Sequence, residues 1–339
     1  MKNSQLNYVA ELSANHNNSF ERALKIIEAV AEAGATSVKF QTYTAETMTL
    51  ELKRDEFLVP SSNALWGGRS LYELYEEAHT PWSWHKDLFQ ACRQLGLTPF
   101  SSPFDKSAVD LLEDLDCEIY KIASFEIVDT ELISYVASTG KPLIMSTGMA
   151  TVREIAIAYE AAIAAGANDI TLLKTTSAYP ASPLNSNLLT MPKLGELFGT
   201  KFGVSDHTLG IGVSVAAAAL GASVIEKHVT LRREDGGVDD SFSMEPAEFG
   251  QLIVESERAK AAMGEIHFGP TDGDRESLQF RRSLYVACDV VEGEKVSPDN
   301  VRAIRPGLGL PIQQLASVLG MHFTKNVKKG TPMSFDLLR

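Results

Sequence analysis

The sequence has few cysteines, no surplus of positive charge and no long apolar run, and each shortage argues against a class of protein. The three cysteines, Cys92, Cys117 and Cys288, are odd in number and lack metal-ligand spacing, so we interpret them as reduced cytosolic thiols. A net charge of −13 disfavours nucleic acid and anionic membranes as partners. The sequence contains no run of about 18 apolar residues, so it predicts no membrane span. The first residues lack the apolar core of a signal peptide, so we expect a cytoplasmic protein.

Short β-branched runs alternate with helix-like segments along most of the chain. Eight strand–helix units are recognisable, evenly spaced except for a long excursion at residues 44–80. Strands that alternate with helices predict a parallel sheet, and eight units predict a closed (β/α)8 TIM barrel, an α/β fold. A doubly wound open sheet is the alternative, but no GxGxxG motif follows the first strand. The predicted strands are Tyr8–Ala14, Ser37–Thr42, Thr98–Phe104, Glu118–Ser124, Pro142–Gly148, Ile170–Thr176 and two that lead to His207 and His228.

The composition changes after Gly264. Residues 265–280 are polar and aperiodic, which indicates a linker between a barrel at 1–264 and a second domain at 281–339. The second domain offers three predicted strands, SLYVACDV, NVRAIRP and HFTKNV, with tight turns and one short helix, IQQLASVLG. A β-rich domain of about 60 residues buries a small core, so we expect it to lean on the barrel or on another subunit.

Two histidines lie near the ends of the last two predicted strands. His207 occurs in GVSDHT and His228 in VIEKHVT, each beside a carboxylate, Asp206 or Glu226. The carboxyl ends of adjacent parallel strands are where α/β enzymes place their chemistry. Two imidazoles there fit one shared divalent metal, although the pattern alone leaves a structural role equally open.

Three lysines near other strand ends predict an anion site. Lys39, Lys121 and Lys174 are flanked by small hydroxyl residues, which together suit a phosphate or carboxylate. Structural ion pairs with Glu11 or Glu126 are the alternative, but three converging lysines in an acidic protein favour anion binding. Lys174, near the end of the sixth strand, also fits a Schiff-base aldolase, whereas the histidine pair favours a metal.

Ordered motifs along nearly the whole chain resemble the N-acetylneuraminate synthase family. They are ELSANHN, VKFQTYTA, LWGGRSLYELYEEAHTPW, FSSPFD, YKIASFEIVD, IMSTGMA, LLKTTSAYP, SDHTLGIG and IEKHVT with GGVDDSFSMEP. RRSLYVACDVVEGE and RPGLG resemble the family's antifreeze-like (SAF) domain. The ELSANHN start, the LWGG segment and SFEIVD are most similar to the branch of the family that makes pseudaminic acid. Sialic acid synthases usually show an EAGxNHNG-type start and a GSGE-type fourth strand.

The resemblance implies a transferase that condenses phosphoenolpyruvate with an amino-sugar aldehyde and releases phosphate. For the pseudaminic acid branch the sugar is 2,4-diacetamido-2,4,6-trideoxy-L-altrose, and sialic or legionaminic acid synthesis by the same chemistry is the alternative. A divalent metal, Mn²⁺ or Mg²⁺, would be bound by His207 and His228. Glu11 matches a carboxylate that acts as general base or positions water. A sugar-binding protein without catalysis is a further alternative, which the retained lysines, histidines and Glu11 oppose.

The resemblance also assigns binding residues. Positions that match phosphoenolpyruvate-binding residues are Lys39, Ser102, Lys121, Ser124, Ser146, Ser177 and Ser205, of which Ser177 stands where sialic acid synthases carry asparagine. Glu126, Tyr179 and Asp239 match sugar-binding positions. Arg305, in RPGLG, matches an arginine that a partner subunit supplies in a domain-swapped homodimer. We expect the excursion at 44–80, with Trp66 and Tyr72, to decide the choice of sugar.

Overall fold

The computed structural model describes residues 6–339. The chain divides into two compact units, residues up to Gly264 and residues from Glu265 to Arg339. None of the described helices is both long and apolar enough to cross a membrane.

The first unit is built on eight parallel strands that close into a barrel in sequence order. The strands are β1 (Asn7–Glu11), β2 (Ser37–Thr42), β3 (Thr98–Pro103), β4 (Tyr120–Ile122), β5 (Leu143–Ser146), β6 (Ile170–Thr175), β7 (Lys201–Ser205) and β8 (Val224–His228). Closure is direct, because Glu11 in β1 is paired with Lys39 in β2 on one side and with His228 in β8 on the other. The predicted barrel is confirmed and the open sheet is excluded.

Ten helices accompany the strands of this unit. They are α1 (Phe20–Glu32), α2 (Ala45–Met48), α3 (Leu71–Ala78), α4 (His85–Gln94), α5 (Lys106–Asp114), α6 (Thr130–Ala137), α7 (Val152–Ala164), α8 (Thr190–Phe198), α9 (Gly212–Ala219) and α10 (Pro246–Met263). Side-chain caps mark the starts of several of them: Ser19 accepts from Arg22 N, and Thr151 forms a capping box with Glu154. The excursion at 44–80 contains α2 and α3, which the sequence pattern did not indicate.

The first strand ends earlier than predicted. The pattern predicts a strand over Tyr8–Ala14, but β1 stops at Glu11 and Ser13–His16 form a 3₁₀ turn. Ser13 has a φ of 49°, in the left-handed region that strands do not adopt. The turn brings the chain back across the top of the barrel directly after Glu11.

The second unit has its own small core, which includes Leu284, Val286 and Phe323. Two antiparallel strands, β9 (Ser283–Val286) and β10 (Val301–Ile304), and a short helix, α11 (Leu315–Val318), are its regular elements. The predicted strand HFTKNV is wrong, since this segment makes only isolated bridges rather than a ladder.

Candidate active site

The residues singled out in the sequence gather at the carboxyl ends of the barrel strands. Those within strands are Glu11, Lys39, Ser102, Lys121, Ser146, Ser205 and His228, in β1, β2, β3, β4, β5, β7 and β8. Ser124, Glu126, Ser177, Tyr179, His207 and Asp239 follow in the loops after β4, β6, β7 and β8. Side chains alternate between the two faces of a strand, and the register of the barrel places the inward-facing members together.

Two lysines and two glutamates form a buried cluster across β1, β2, β4 and β8. Lys39 Nζ lies 2.7 Å from Glu11 Oε2 and 3.7 Å from Glu226 Oε1, and Lys121 Nζ lies 3.8 Å from the same Glu226 oxygen. All four side chains are at most 5% exposed. Ser205 Oγ donates to Glu226 Oε1 at 2.9 Å. Ion pairing and a lysine cradle, which the sequence presented as alternatives, are therefore features of one arrangement.

Burial in this cluster moves two pKa values towards neutrality. It raises the pKa of the Glu11 carboxyl to about 7, against the attraction of Lys39. It lowers the pKa of the Lys121 ammonium to about 8, against the attraction of Glu226. Burial also acts to raise the pKa of Glu226, but Lys121 and Lys39 outweigh it, so this carboxyl has a lowered pKa. Groups that titrate near pH 7 in a strand-end cluster are typical of catalytic sites.

The two histidines are neutral and close together. Their ring centroids are 5.3 Å apart, and burial lowers the pKa of His207 to about 4 and that of His228 well below its usual value. His207 Nδ1 lies 2.9 Å from Thr176 O, and since a carbonyl only accepts, Nδ1 carries the proton and Nε2 is left as a lone-pair donor. His228 Nδ1 is buried and has no hydrogen-bond partner among the residues that the structure describes.

These nitrogens fit a divalent cation. Metal–imidazole bonds of about 2.0–2.1 Å allow one ion to contact a nitrogen of each ring at this separation. Within residues 6–339 no group of three or more His, Cys, Asp or Glu side chains has metal-binding geometry. A cation held by His207 and His228 alone would keep most of its coordination positions for water and substrate oxygens.

Asp206, the carboxylate beside His207, has a structural role. It accepts hydrogen bonds from Ser214 Oγ at 2.7 Å and from Lys227 Nζ at 3.0 Å. Asp206 therefore supports the loop that carries His207 and is not free to bind a metal.

Hydroxyl groups converge beside Gly148, in the loop after β5. A Cβ at Gly148 would lie 2.4 Å from Ser177 Oγ and 2.7 Å from Ser124 Oγ, so only glycine fits between them. Ser177 Oγ is buried and has no hydrogen-bond partner within the described range 6–339. Ser146 Oγ accepts from Thr175 Oγ1 at 3.2 Å. Ser124, Ser146 and Ser177 thus bring several small donors together beside Gly148, as an anionic oxygen requires.

Lys174 does not belong to this cluster, so the predicted cradle of three lysines is wrong. Thr175 faces the barrel interior with Ser146, and alternation along β6 puts Lys174 on the opposite face. The Lys174 ammonium is half-buried and donates to Thr175 O at 2.8 Å. This position also removes the support for Lys174 as a Schiff-base nucleophile.

Glu126, Tyr179 and Asp239 lie in the loops after β4, β6 and β8. Burial raises the pKa of Glu126 to about 7, and its Oε2 is buried with no hydrogen-bond partner in the described part of the chain. The Tyr179 ring packs on His207 with centroids 4.5 Å apart. Asp239 is buried, and Ser13 Oγ donates to its Oδ2. Arg305 is exposed in the second unit, after β10, and its assignment to the sugar site stays a prediction.

Sequence reasoning gave no catalytic or binding role to Glu226, Gln41 or Ser13, although Gln41 was expected at a strand end and Glu226 was noted beside His228. Gln41 Nε2 donates to Glu11 Oε1 at 3.0 Å and to Ser13 Oγ at 3.3 Å. The signal for Glu226 and Gln41 was available, since each stands two residues from an assigned residue, His228 or Lys39, on the same strand face. Ser13 carried no such signal, because its left-handed backbone is not readable from the sequence.

A closed (β/α)8 barrel whose strand ends hold buried lysines, a carboxyl with a raised pKa and two neutral imidazoles defines an enzyme for an anionic substrate. The chain belongs to the NeuB family, whose model matches residues 26–268, and residues 281–339 match the SAF domain. This confirms the resemblance to the N-acetylneuraminate synthases.

Relatives of known activity match over nearly their whole length. The pseudaminic acid synthase of Helicobacter pylori is 44% identical over 330 residues, which cover 97% of this chain and 96% of that protein. The N,N'-diacetyllegionaminic acid synthase of Campylobacter jejuni is 34% identical over 95% of this chain and 96% of that protein. The crystal structure of a sialic acid synthetase from Leptospira borgpetersenii, in complex with citrate, superimposes with a TM-score of 0.71 at 29% identity, over 81% of this chain and 91% of that one.

Proposed function

We propose that this chain condenses phosphoenolpyruvate with 2,4-diacetamido-2,4,6-trideoxy-L-altrose, giving pseudaminic acid and inorganic phosphate. The observation that carries the proposal is the cluster of Glu11, Lys39 and Lys121 beside His207 and His228. The 44% identity to a pseudaminic acid synthase over 97% of the chain supports this choice of sugar.

Lys39 and Lys121 would bind the carboxylate and phosphate of phosphoenolpyruvate. The nearest carboxylate oxygen to Lys121 Nζ is 3.8 Å away, beyond hydrogen-bond distance, so this ammonium retains donors for a substrate anion. The hydroxyls of Ser102, Ser124, Ser146, Ser177 and Ser205 would complete the site. Because the whole chain carries a charge of −13, local cations and hydroxyl donors must overcome the field of the protein.

Glu11 would take the proton from the water that adds to C2 of phosphoenolpyruvate. Burial raises the pKa of Glu11 to about 7, so the carboxylate is a stronger base than an exposed glutamate and is still ionised at slightly alkaline pH. Gln41 orients this carboxylate through Oε1, while Lys39 holds Oε2. The tetrahedral carbon then expels phosphate by C–O cleavage.

His207 and His228 would hold the divalent cation, Mn²⁺ or Mg²⁺. A cation bound there would supply Lewis-acid polarisation of the sugar's C1 aldehyde, the carbon at which C3 of phosphoenolpyruvate would form its bond. The hydrogen bond to Thr176 O fixes the tautomer and ring plane of His207, and Tyr179 packs on the same ring. Glu126 and Asp239 are the buried carboxyl groups available for the hydroxyl and amide groups of the sugar.

We also propose that the enzyme works in the cytoplasm as a domain-swapped homodimer in which Arg305 of one subunit serves the sugar site of the other. Sialic or legionaminic acid synthesis remains the alternative with the same chemistry, and the relatives above include both kinds of enzyme.

The deciding experiment measures phosphate release from phosphoenolpyruvate with each candidate sugar, with and without chelator. We expect turnover of the trideoxy-altrose alone, abolished by the chelator and restored by Mn²⁺. Preferred turnover of N-acetylmannosamine would show that the enzyme makes sialic acid instead. If none of the candidate sugars supports phosphate release, the proposal is overturned. Metal bound per chain should fall in His207→Ala and His228→Ala, whereas His267→Ala, an exposed histidine, should bind as wild type.

A further inference from the structure

Ser13 combines a strained backbone with a buried hydroxyl. Its φ of 49° is a conformation that L residues other than glycine rarely adopt, because Cβ approaches the following carbonyl oxygen. The residue is 4% exposed and lies two positions after Glu11. An observed backbone outlier beside a reacting group leads to a hypothesis of function, since the surrounding structure must hold the strained conformation.

The Ser13 hydroxyl connects two carboxylates of the site. Ser13 Oγ donates to Asp239 Oδ2 at 2.5 Å and accepts from Gln41 Nε2 at 3.3 Å. Gln41 Nε2 also donates to Glu11 Oε1 at 3.0 Å. Carboxylates only accept, so the amide N–H group faces Glu11 and the single serine proton is given to Asp239. The result is one hydrogen-bonded chain, Asp239–Ser13–Gln41–Glu11.

This chain leaves one oxygen of Asp239 available. Both donors to the Asp239 carboxylate within residues 6–339, Ser13 Oγ and Ala14 N, use Oδ2. Burial raises the pKa of Asp239, and the hydrogen bond from Ser13 opposes that rise by favouring the charged form. Oδ1 therefore remains an acceptor that a hydroxyl or amide N–H of a ligand can satisfy.

We propose that Ser13 is a positioning residue of the sugar site, holding Asp239 with Oδ1 turned to a hydroxyl or acetamido N–H of the sugar and linking it to Glu11 through Gln41. The inference rests on the proposed function. It concerns the sugar rather than phosphoenolpyruvate, because the fully ionised phosphoenolpyruvate anion offers acceptors and no donor to a carboxylate. The left-handed backbone is the conformation in which the hydroxyl reaches Asp239.

Ser13→Gly separates this role from a structural one. The substitution removes the hydroxyl but also relieves the strained φ, so we expect a melting temperature equal to or above that of wild type. The KM for the sugar should rise about tenfold, the size expected for losing a hydrogen bond to a charged group. The KM for phosphoenolpyruvate should stay within about twofold. Ser13→Ala, which keeps the strain, should show the same rise in sugar KM at a lower melting temperature.

Asp116→Gly is the matched control. Asp116 has a φ of 54° in an exposed loop after α5, so its replacement by glycine relieves similar strain away from the site. We expect an equal or higher melting temperature with both KM values unchanged.

A double-mutant cycle tests the partner of Ser13. In an Asp239→Asn background, Ser13→Gly should change the sugar KM by less than about twofold, because the partner it positions is already altered. With an active wild type, a sugar KM unchanged by Ser13→Gly, or a tenfold rise that persists fully in the Asp239→Asn background, overturns the inference. A wild type that turns over no acetamido-sugar instead overturns the proposed function, and this inference with it.

Discussion

Lys39 Nζ lies 2.7 Å from Glu11 Oε2, and the two residues occupy paired positions on the neighbouring strands β2 and β1. The register of the barrel thus creates the contact. Glu11 is fully buried, so the ion pair offsets part of the cost of its charge, yet burial still raises the pKa of Glu11 to about 7. A carboxyl group that pairs with a lysine but has a raised pKa loses its proton near neutral pH, and the resulting carboxylate accepts a proton more strongly than an exposed one.

Glu11→Gln should lower kcat by about 10²–10⁴-fold, the usual contribution of a general base. In wild type, kcat/KM should rise as the pH increases through about 7, because the active form of Glu11 is the ionised one. This rising limb should be absent from the residual activity of Glu11→Gln. Initial rates of phosphate release between pH 5 and 10 measure both effects. Glu28→Gln, on the exposed face of α1, should retain the wild-type profile.

The lowered pKa of Lys121 predicts a fall in kcat/KM at the alkaline end of the same pH profile. Burial lowers the pKa of Lys121 to about 8, so the ammonium loses its proton, and its attraction for phosphoenolpyruvate, as the pH rises through that value. We expect kcat/KM for phosphoenolpyruvate to fall above pH 8. In Lys121→Arg the guanidinium stays charged, so the fall should move to higher pH even if the maximum is reduced. An unchanged alkaline limb in Lys121→Arg would assign it to another group.

The sequence was sufficient for the order of the barrel strands, because hydrophobic periodicity and chain order are local properties. It was less exact for the strand ends, since it extended the first strand to Ala14 and β1 stops at Glu11. The sequence also contained information on the strand faces of two residues, which the prediction of the site did not use. Alternation along β6 puts Lys174 on the opposite face from Thr175, and alternation along β8 puts Glu226 on the same face as His228. The prediction that Lys174 joins the lysine cradle is therefore wrong because a position near a strand end does not by itself fix the face that a side chain occupies.

Other parts of the site could not be predicted from the sequence. The hydrogen bond from Ser13 to Asp239 joins residues 226 positions apart, and it depends on a left-handed φ at a residue type that gives no warning of it. The helices within the excursion are short, and a segment of four to eight residues shows too little periodicity to be recognised.

Trp66, in the excursion at 44–80, contacts residues that pack against His228, where we propose that the sugar binds. Its Nε1 donates to Val238 O at 3.0 Å, and its ring centroid lies 6.0 Å from Tyr179 and 6.4 Å from Phe242. Tyr179 and Phe242 in turn pack against His228. At the proposed sugar site, Trp66 would add an apolar wall, which would suit the methyl group of a 6-deoxy sugar better than a hydroxymethyl group.

Trp66→Ala should lower kcat/KM for the trideoxy sugar by about 10–200-fold, the range for losing apolar contact with a small group in a pocket. The value for a 6-hydroxy sugar such as N-acetylmannosamine should fall less, so the preference between the two should narrow. Tyr72, which the sequence grouped with Trp66 in this role, instead donates through Oη to Glu46 of the same segment at 2.5 Å, so Tyr72→Phe is the control within the excursion. Equal losses for both sugars would show that Trp66 supports the loop without selecting the substrate.

The proposed exchange of Arg305 between subunits makes a quantitative prediction for mixed dimers. Arg305→Ala and Glu11→Gln should each be nearly inactive alone. A mixed dimer would contain one site with an intact Glu11 and an Arg305 from the other chain. If the two variants are unfolded and refolded together in equal amounts, half of the dimers are mixed and half of their sites are intact. About a quarter of wild-type activity should return, in keeping with a two-fold symmetric dimer.

An arginine that serves its own chain would leave both sites of a mixed dimer defective, and no activity would return. Size-exclusion chromatography with light scattering of the refolded mixture supplies the control, since it must show a dimer for the activity to be interpreted.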